Sequence, residues 1–388
     1  MTQLPRLRSL SLSVSLAIWL LLLNPRLARA EGALSFKYED YRESGGRIAV
    51  KTDGVYVSQD LGADTHLTAQ GVIDAIAGAT PNGQPAPAGS DQVVLTDMHD
   101  RRKAWNTTLS RQFQTTNVAL GYAHSLESDY LSNGLSLNTV TDFNEKNTEL
   151  LLGVAGTDDS VKVFYHAPWD KKRASDAMIG VKQLLSPRSF VTFNLSWERQ
   201  SGYLSDPYKL VQKDIEVAPG IFLPFTYAEN RPQKRTKWIV LAGLNHAFPE
   251  LDGALEATYR FYHDSYGTDA HTIELTWIQH IGTHFILQPE LRWYDQTKAS
   301  FYHYNLDPTG IQPVGNVPMP EGPFFSSDHR LSALRTYTYG LKAVWTASSA
   351  LHLDVALEKY DMRGKDGITP QSAYPQATIL NAGLTFSW

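Results

Sequence analysis

The chain has 388 residues, with 35 Lys and Arg against 40 Asp and Glu, a net charge of −5, and no Cys. Without Cys there is no thiol catalysis, thiolate metal site, covalently attached haem or disulfide staple, so stability comes from elsewhere. The acidic balance argues against a nucleic-acid partner, which selects a basic face.

Arg6 and Arg8 precede an unbroken apolar stretch, LAIWLLLL at 16–23, and small residues stand at Ala28 and Ala30. A basic start, a short apolar core and a small-x-small site predict a cleaved secretory signal peptide over 1–30. The other reading, a membrane anchor, meets a core too short to span comfortably. Removing 1–30 takes away Arg6, Arg8, Arg26 and Arg29 and no acid, so the exported part, 31–388, is more acidic than the whole. Beyond residue 30 no apolar run approaches the roughly 20 residues of a transmembrane helix. The exported part is either soluble or crosses a membrane by strands.

Periodicity separates these two. Val191, Phe193, Leu195 and Trp197 alternate with Thr192, Asn194, Ser196 and Glu198. The same side-chain period of two runs through 254–264, 272–277, 285–293, 336–345 and 351–359, and marks strands with two unlike faces. Strands are predicted at about 33–43, 46–60, 64–77, 102–114, 117–128, 131–142, 147–157, 174–185, 189–201, 236–247, 252–265, 268–281, 284–297, 334–346, 350–362 and 377–388. A soluble sandwich also alternates. These strands, however, are long enough for a tilted bilayer crossing, and aromatics such as Trp197, Trp238, Trp293 and Trp345 sit near their ends.

Connections alternate between short turns (TTN at 115–117, GTH at 282–284, SSA at 348–350) and longer loops near 78–101, 158–173, 202–235, 298–333 and 363–376. The predicted fold is therefore all-β: a transmembrane antiparallel up-and-down barrel of about sixteen strands, with short periplasmic turns and long extracellular loops. The count becomes fourteen or eighteen if the first hairpin or a long loop is misread. In a closed sheet the last strand pairs with the first. Leu384, Phe386 and Trp388 then lie on the lipid-facing row of that closing strand and resemble the C-terminal aromatic signal read by the barrel-insertion machinery.

Four stretches, YEDYRESGGRIAV at 38–50, DAIAGATPNG at 74–83, ESDYLS at 127–132 and FNEKNT at 143–148, resemble the family called domain of unknown function 3570. The resemblance covers essentially the whole of 31–388 and implies a bacterial outer-membrane barrel of a Gram-negative cell with no established activity. It also implies an association with a flavin-attaching transferase or thioredoxin-like proteins, although this chain has no redox residue of its own.

With apolar residues facing lipid, the inward set includes Glu149, Glu198, Glu256, Arg260, Glu274, Glu290, Arg292, Lys342, Asp354 and Glu358. This modestly acidic lining either favours cations in an aqueous channel or braces the wall as a network; the two are compatible. Three basic clusters, Arg101, Arg102 and Lys103, then Lys171, Lys172 and Arg173, then Lys234, Arg235 and Lys237, begin descending strands at the height of lipopolysaccharide phosphates. Catalytic groupings are weak. His263 and Asp264 are adjacent and so point to opposite faces of a strand, and the HxxxH of His280 and His284 links two strands instead of lying on a helix. The loops at 226–237 and 304–325 exceed what a connection needs and either fold inward or form a receptor surface. The expectation is a non-enzymatic, porin-like channel for small hydrophilic solutes or ions, without metal or cofactor. The alternative is a plugged barrel acting as a scaffold in an envelope complex.

Overall fold

Residues that alternate over ten or more positions can satisfy their backbone groups only by pairing on both sides, and in lipid only a closed sheet leaves no edge. The computed structural model describes residues 30–87, 89–163, 169–315 and 319–388; the signal peptide expected over 1–30 lies, but for Ala30, outside them. The strands are, in chain order, β1 (Gly32–Glu43), β2 (Ala49–Asp60), β3 (Thr65–Pro81), β4 (Leu95–Phe113), β5 (Thr116–Leu126), β6 (Tyr130–Phe143), β7 (Thr148–Val161), β8 (Asp170–Ser186), β9 (Ser189–Gly202), β10 (Leu210–Ala218), β11 (Ile221–Ala228), β12 (Lys234–Phe248), β13 (Gly253–Asp264), β14 (Asp269–Ile281), β15 (Phe285–Gln296), β16 (Leu334–Ser348), β17 (Leu351–Gly364) and β18 (Gln376–Ser387). All except β10 and β11 form one closed antiparallel barrel of sixteen strands, in which β9 pairs with β12 and β18 pairs with β1.

The closing register sets Leu34 opposite Phe386 and Phe36 opposite Leu384 on the outer face, with Lys37 opposite Gly383 on the inner one. At the short-turn end the Gly32 N–H donates to the Trp388 carbonyl (3.1 Å) and the Trp388 N–H to the Gly32 carbonyl (3.0 Å), so the terminal aromatic sits in the seam. The outward row is apolar and uncovered by protein: Leu120 is 60% exposed, Leu135 63%, and Trp105, Phe193, Trp238 and Leu357 behave alike. Left in water, such a belt would forgo about 25 cal/mol for every Å² of apolar surface it leaves uncovered; lipid covers it.

Two expectations are corrected. Residues 202–235 are not a plain loop, because β10 and β11 form a separate two-stranded sheet there. Its signals were local: alternation from Leu210 to Val217, and a turn at Gly220, whose φ of +75° suits glycine. In addition, β3 and β4 run well into the loop expected at 78–101, pairing up to Pro81 and Leu95. There apolar and polar residues mix on both faces, as with Leu95 beside Asp97 and Met98 beside Asp100, so the two-face signal that marks a membrane strand is absent.

Candidate functional site

Inside the barrel, register places one strand's acid beside the next strand's base. Arg292 donates to Glu274 (2.7 Å), Lys237 to Glu198 (3.0 Å), Lys182 to Glu149 (3.0 Å) and Arg102 to Asp74 (2.5 Å). Lys37 reaches Asp354 (2.6 Å), and Lys342 approaches the same carboxylate at 3.9 Å. Lys37, Arg102, Lys182 and Lys237 were missing from the inward charges read from sequence, but so were Asp74, Asp159, Asp176 and Asp264 on the same face, so the excess of acids persists. Glu256 accepts from Asn245 (2.9 Å). Glu290 and Glu358 lean together over Gly340, where an added Cβ would meet Glu358 Cγ at 2.6 Å. Such a wall of partly exposed pairs contributes little stability per pair, but it is wet and hydrogen-bonding throughout.

The basic clusters divide by parity. Arg102, Lys172, Arg235 and Lys237 share the inner face with Asp74, Asp159, Asp264 and Glu198, whereas Arg101, Lys103, Lys171, Arg173 and Lys234 alternate outward. Three adjacent bases on a strand cannot all face one phosphate layer, because successive side chains point to opposite faces. The same rule separates His263, which meets Asp269 outside (2.7 Å), from Asp264, which accepts from Arg235 inside.

The outer mouth is crossed. Residues 203–233, between neighbouring strands β9 and β12, carry the β10–β11 sheet, and its base reaches β3, six positions around the ring of sixteen. Lys209 Nζ donates to the Pro81 carbonyl, the Leu210 N–H to the Asn82 carbonyl (2.7 Å), and the Tyr208 hydroxyl to Asp129. From the other side, residues 297–315 and 319–333 fold in. The Leu306 N–H donates to Gln212 (2.9 Å), and the Asn230 and Phe325 backbones exchange two bonds of 2.9 Å. Val211, Leu306 and Phe325 pack as an apolar cluster beneath. The long loop therefore folds inward, one of the two outcomes the sequence left open.

A buried ionic cluster fastens this crosspiece. Arg231 meets Glu229 (2.6 Å) and Asp328 (2.8 Å). Arg330 meets Asp328 (2.7 Å) and Asp206 (2.5 Å). Glu229 also accepts from the Asp206 N–H and the Ser326 hydroxyl. The Glu229 and Asp328 side chains are 0% and 1% exposed, so each needs its partners. Burial pushes Glu229 up to about 7, against the pull of Arg231. Burial pushes His329 down to about 3.

Arg330 hangs below the crosspiece between two cavities. One, of about 420 Å³, borders Tyr41, Glu43, Arg47, His329 and Tyr360 on the β1–β17 side. The other, of about 230 Å³, is lined by Arg235, Arg260, Tyr262, Thr268, Tyr294 and Gln296 on the β12–β15 side. The crosspiece thus approaches the wall on both flanks. Sequence reasoning had placed Arg260 in the lumen, but Arg330, His329 and Asp328 carried no local signal.

The sequence model of a family described as "Protein of unknown function (DUF3570)" matches residues 22–169 and 164–381. No curated protein matches the chain. Among solved structures, CdiB from Acinetobacter baumannii aligns at TM-score 0.51 and 7% identity, over 92% of this chain and 60% of its own. A bacterial polysaccharide outer membrane secretin aligns at TM-score 0.48 and 9% identity over 92% and 98%. OccK1 (OpdK) of Pseudomonas aeruginosa aligns at 0.44 and 10% over 93% and 100%. At these identities the likeness is one of fold alone.

Proposed function

This chain belongs to the DUF3570 family, and on that premise we propose that it is an outer-membrane barrel passing small hydrophilic solutes through a lumen whose outer mouth the crosspiece restricts. The observation that carries this reading is the combination of a charged, hydrogen-bonding inner wall with a buried ionic fastening across one end. Charges line a barrel interior where water or one another can meet them, and a fastening made of ion pairs can be exchanged for solvent or solute contacts. The outward bases Arg101, Lys103, Lys171, Arg173 and Lys234 are read as partners of lipopolysaccharide phosphates. Leu384, Phe386 and Trp388 are read as the row offered to the insertion machinery.

A second reading, the plugged scaffold, draws support from the β10–β11 tip, where Ile221, Phe222, Leu223 and Phe225 are 45–57% exposed. Planar-bilayer recording discriminates. Purified protein is expected to conduct in brief openings that lengthen when the fastening is cut by Arg231→Met. Silence in both the wild type and this variant, with folding verified by heat-modifiable gel mobility, would replace the channel with the scaffold.

A further inference from the structure

We propose that the cavity between Arg330 and the β12–β15 wall is a binding site for a small carboxylate, with Arg260 as its principal cation; this deepens the channel reading by naming a solute class.

Every other arginine there has an acid. Arg235 is held by Asp264 (2.8 Å), Arg292 by Glu274 (2.7 Å) and Arg330 by Asp328 (2.7 Å). Arg260 has no carboxylate partner among the described residues; its guanidinium instead lies 5.6 Å from the Tyr262 ring centre. It is half-buried in a cavity of about 230 Å³ that also receives Arg235 and Arg330. A guanidinium presents five donors and no acceptor, and a carboxylate is the ligand its fork fits.

A second observation points to the same place. The hydroxyls of Thr268, Thr272 and Thr336 are buried and unpartnered, in residues only 3–4% exposed. Thr268 lines the cavity. Thr272 stands opposite both Arg260 and Tyr294 in the sheet register, and Thr336 opposite Tyr294. Buried polar groups are nearly always paired, so the orphan hydroxyls of Thr268, in the cavity lining, and Thr272, opposite the unpaired cation, point to an acceptor brought from outside. Asp264, a fully buried acid held by the lining Arg235, is already saturated: it accepts from Arg235, the Tyr262 hydroxyl (2.6 Å), and the N–H groups of Tyr266 (2.9 Å) and Thr268 (3.0 Å). It therefore opposes an incoming anion little. Tyr262 and Tyr294 line the same cavity, and Arg330 joins the site to the crosspiece.

The test is titration of the full-length protein in detergent with benzoate and, separately, sulfate, read by calorimetry. Saturable benzoate binding is expected, weakened about tenfold in Arg260→Gln, as loss of a charge-assisted hydrogen bond implies, and less in Arg260→Lys. Thr272→Val should weaken binding without changing the melting temperature. Because Arg260 neutralises no acid, Arg260→Gln leaves no carboxylate stranded. Binding unchanged in Arg260→Gln, no saturable benzoate binding, or sulfate bound more tightly than benzoate would each overturn the carboxylate site. Bilayer conductance is recorded in parallel. Conductance without benzoate binding sinks the site and leaves the channel, whereas binding in a silent barrel supports the site and sinks the channel.

Discussion

Lys37 Nζ lies 2.6 Å from both carboxylate oxygens of Asp354, although 317 positions separate them and β18 runs between their strands. The two side chains meet over Gly383, where a Cβ would collide with both. Gly383 therefore lets β1 and β17 clasp across the closing strand. Gly383→Ala is expected to cost about 1–3 kcal/mol through overpacking, seen as a lower temperature for loss of heat-modifiable gel mobility. Combining it with Lys37→Met should add little further loss, since the clasp is already displaced; full additivity would show the two residues to be independent.

Arg231 is shared by two almost fully buried carboxylates, Glu229 and Asp328. Arg231→Met leaves Glu229 without its cation and Asp328 with Arg330 alone, at a cost of about 3–5 kcal/mol to the crosspiece, while the wall strands keep their ladders. The expected result is faster tryptic cleavage within 203–233 at unchanged barrel melting. An unchanged cleavage rate would mean that the crosspiece does not depend on this fastening.

Two buried groups in the crosspiece respond to pH in opposite directions. Glu229 is raised by burial to about 7, with Asp206 and Asp328 reinforcing and Arg231 opposing. It holds a proton in the folded crosspiece that it would release above its ordinary 4.5 when unfolded. Its stabilisation is complete below about pH 4.5 and is lost as pH rises through about 7. His329 is lowered by burial to about 3, with Lys209, Arg330 and Arg47 reinforcing and Asp328 opposing. Its stabilisation is complete above about pH 6.5 and is lost as pH falls toward 3. The two slopes offset between pH 4.5 and 6.5. Cleavage within 203–233 should accordingly vary little with pH there in the wild type, rise on acidification in Glu229→Gln, and rise on alkalinisation in His329→Gln. The same pH profile in all three proteins would refute this.

The parity of the basic clusters predicts two classes of variant. Neutralising the outward Lys171 and Arg173 to Gln should reduce co-purifying lipopolysaccharide and leave single-channel conductance alone. Neutralising the inward Lys172, which lies 3.9 Å from Asp159, should do the reverse. Equal effects on lipid would indicate that the strand end is twisted away from strict alternation.

Much of the wall is legible in the sequence because its physics is local. Alternation at Phe193, Leu195 and Trp197 needs only neighbours two residues apart, and a two-faced strand in lipid has one stable partnering, the closed sheet. Hence sixteen wall strands, their faces and the inward position of Arg260 follow from the chain alone. β10 and β11 carry a local signal, but what they pack against does not show in it: Val211 meets Leu306 and Phe325, far away in the chain. The direction of Lys172 was legible in principle, since parity fixes it, but a run of three like charges masks parity.

The sequence by itself determined a barrel with a greasy outside and a wet inside, because side-chain period two is written residue by residue. Only the tertiary structure decided that the mouth is crossed and where a cation is left without an acid. Those outcomes depend on contacts such as Lys209 with Pro81 and Arg231 with Asp328, 128 and 97 positions apart. No local pattern encodes a pairing between loops that meet only once the wall has closed.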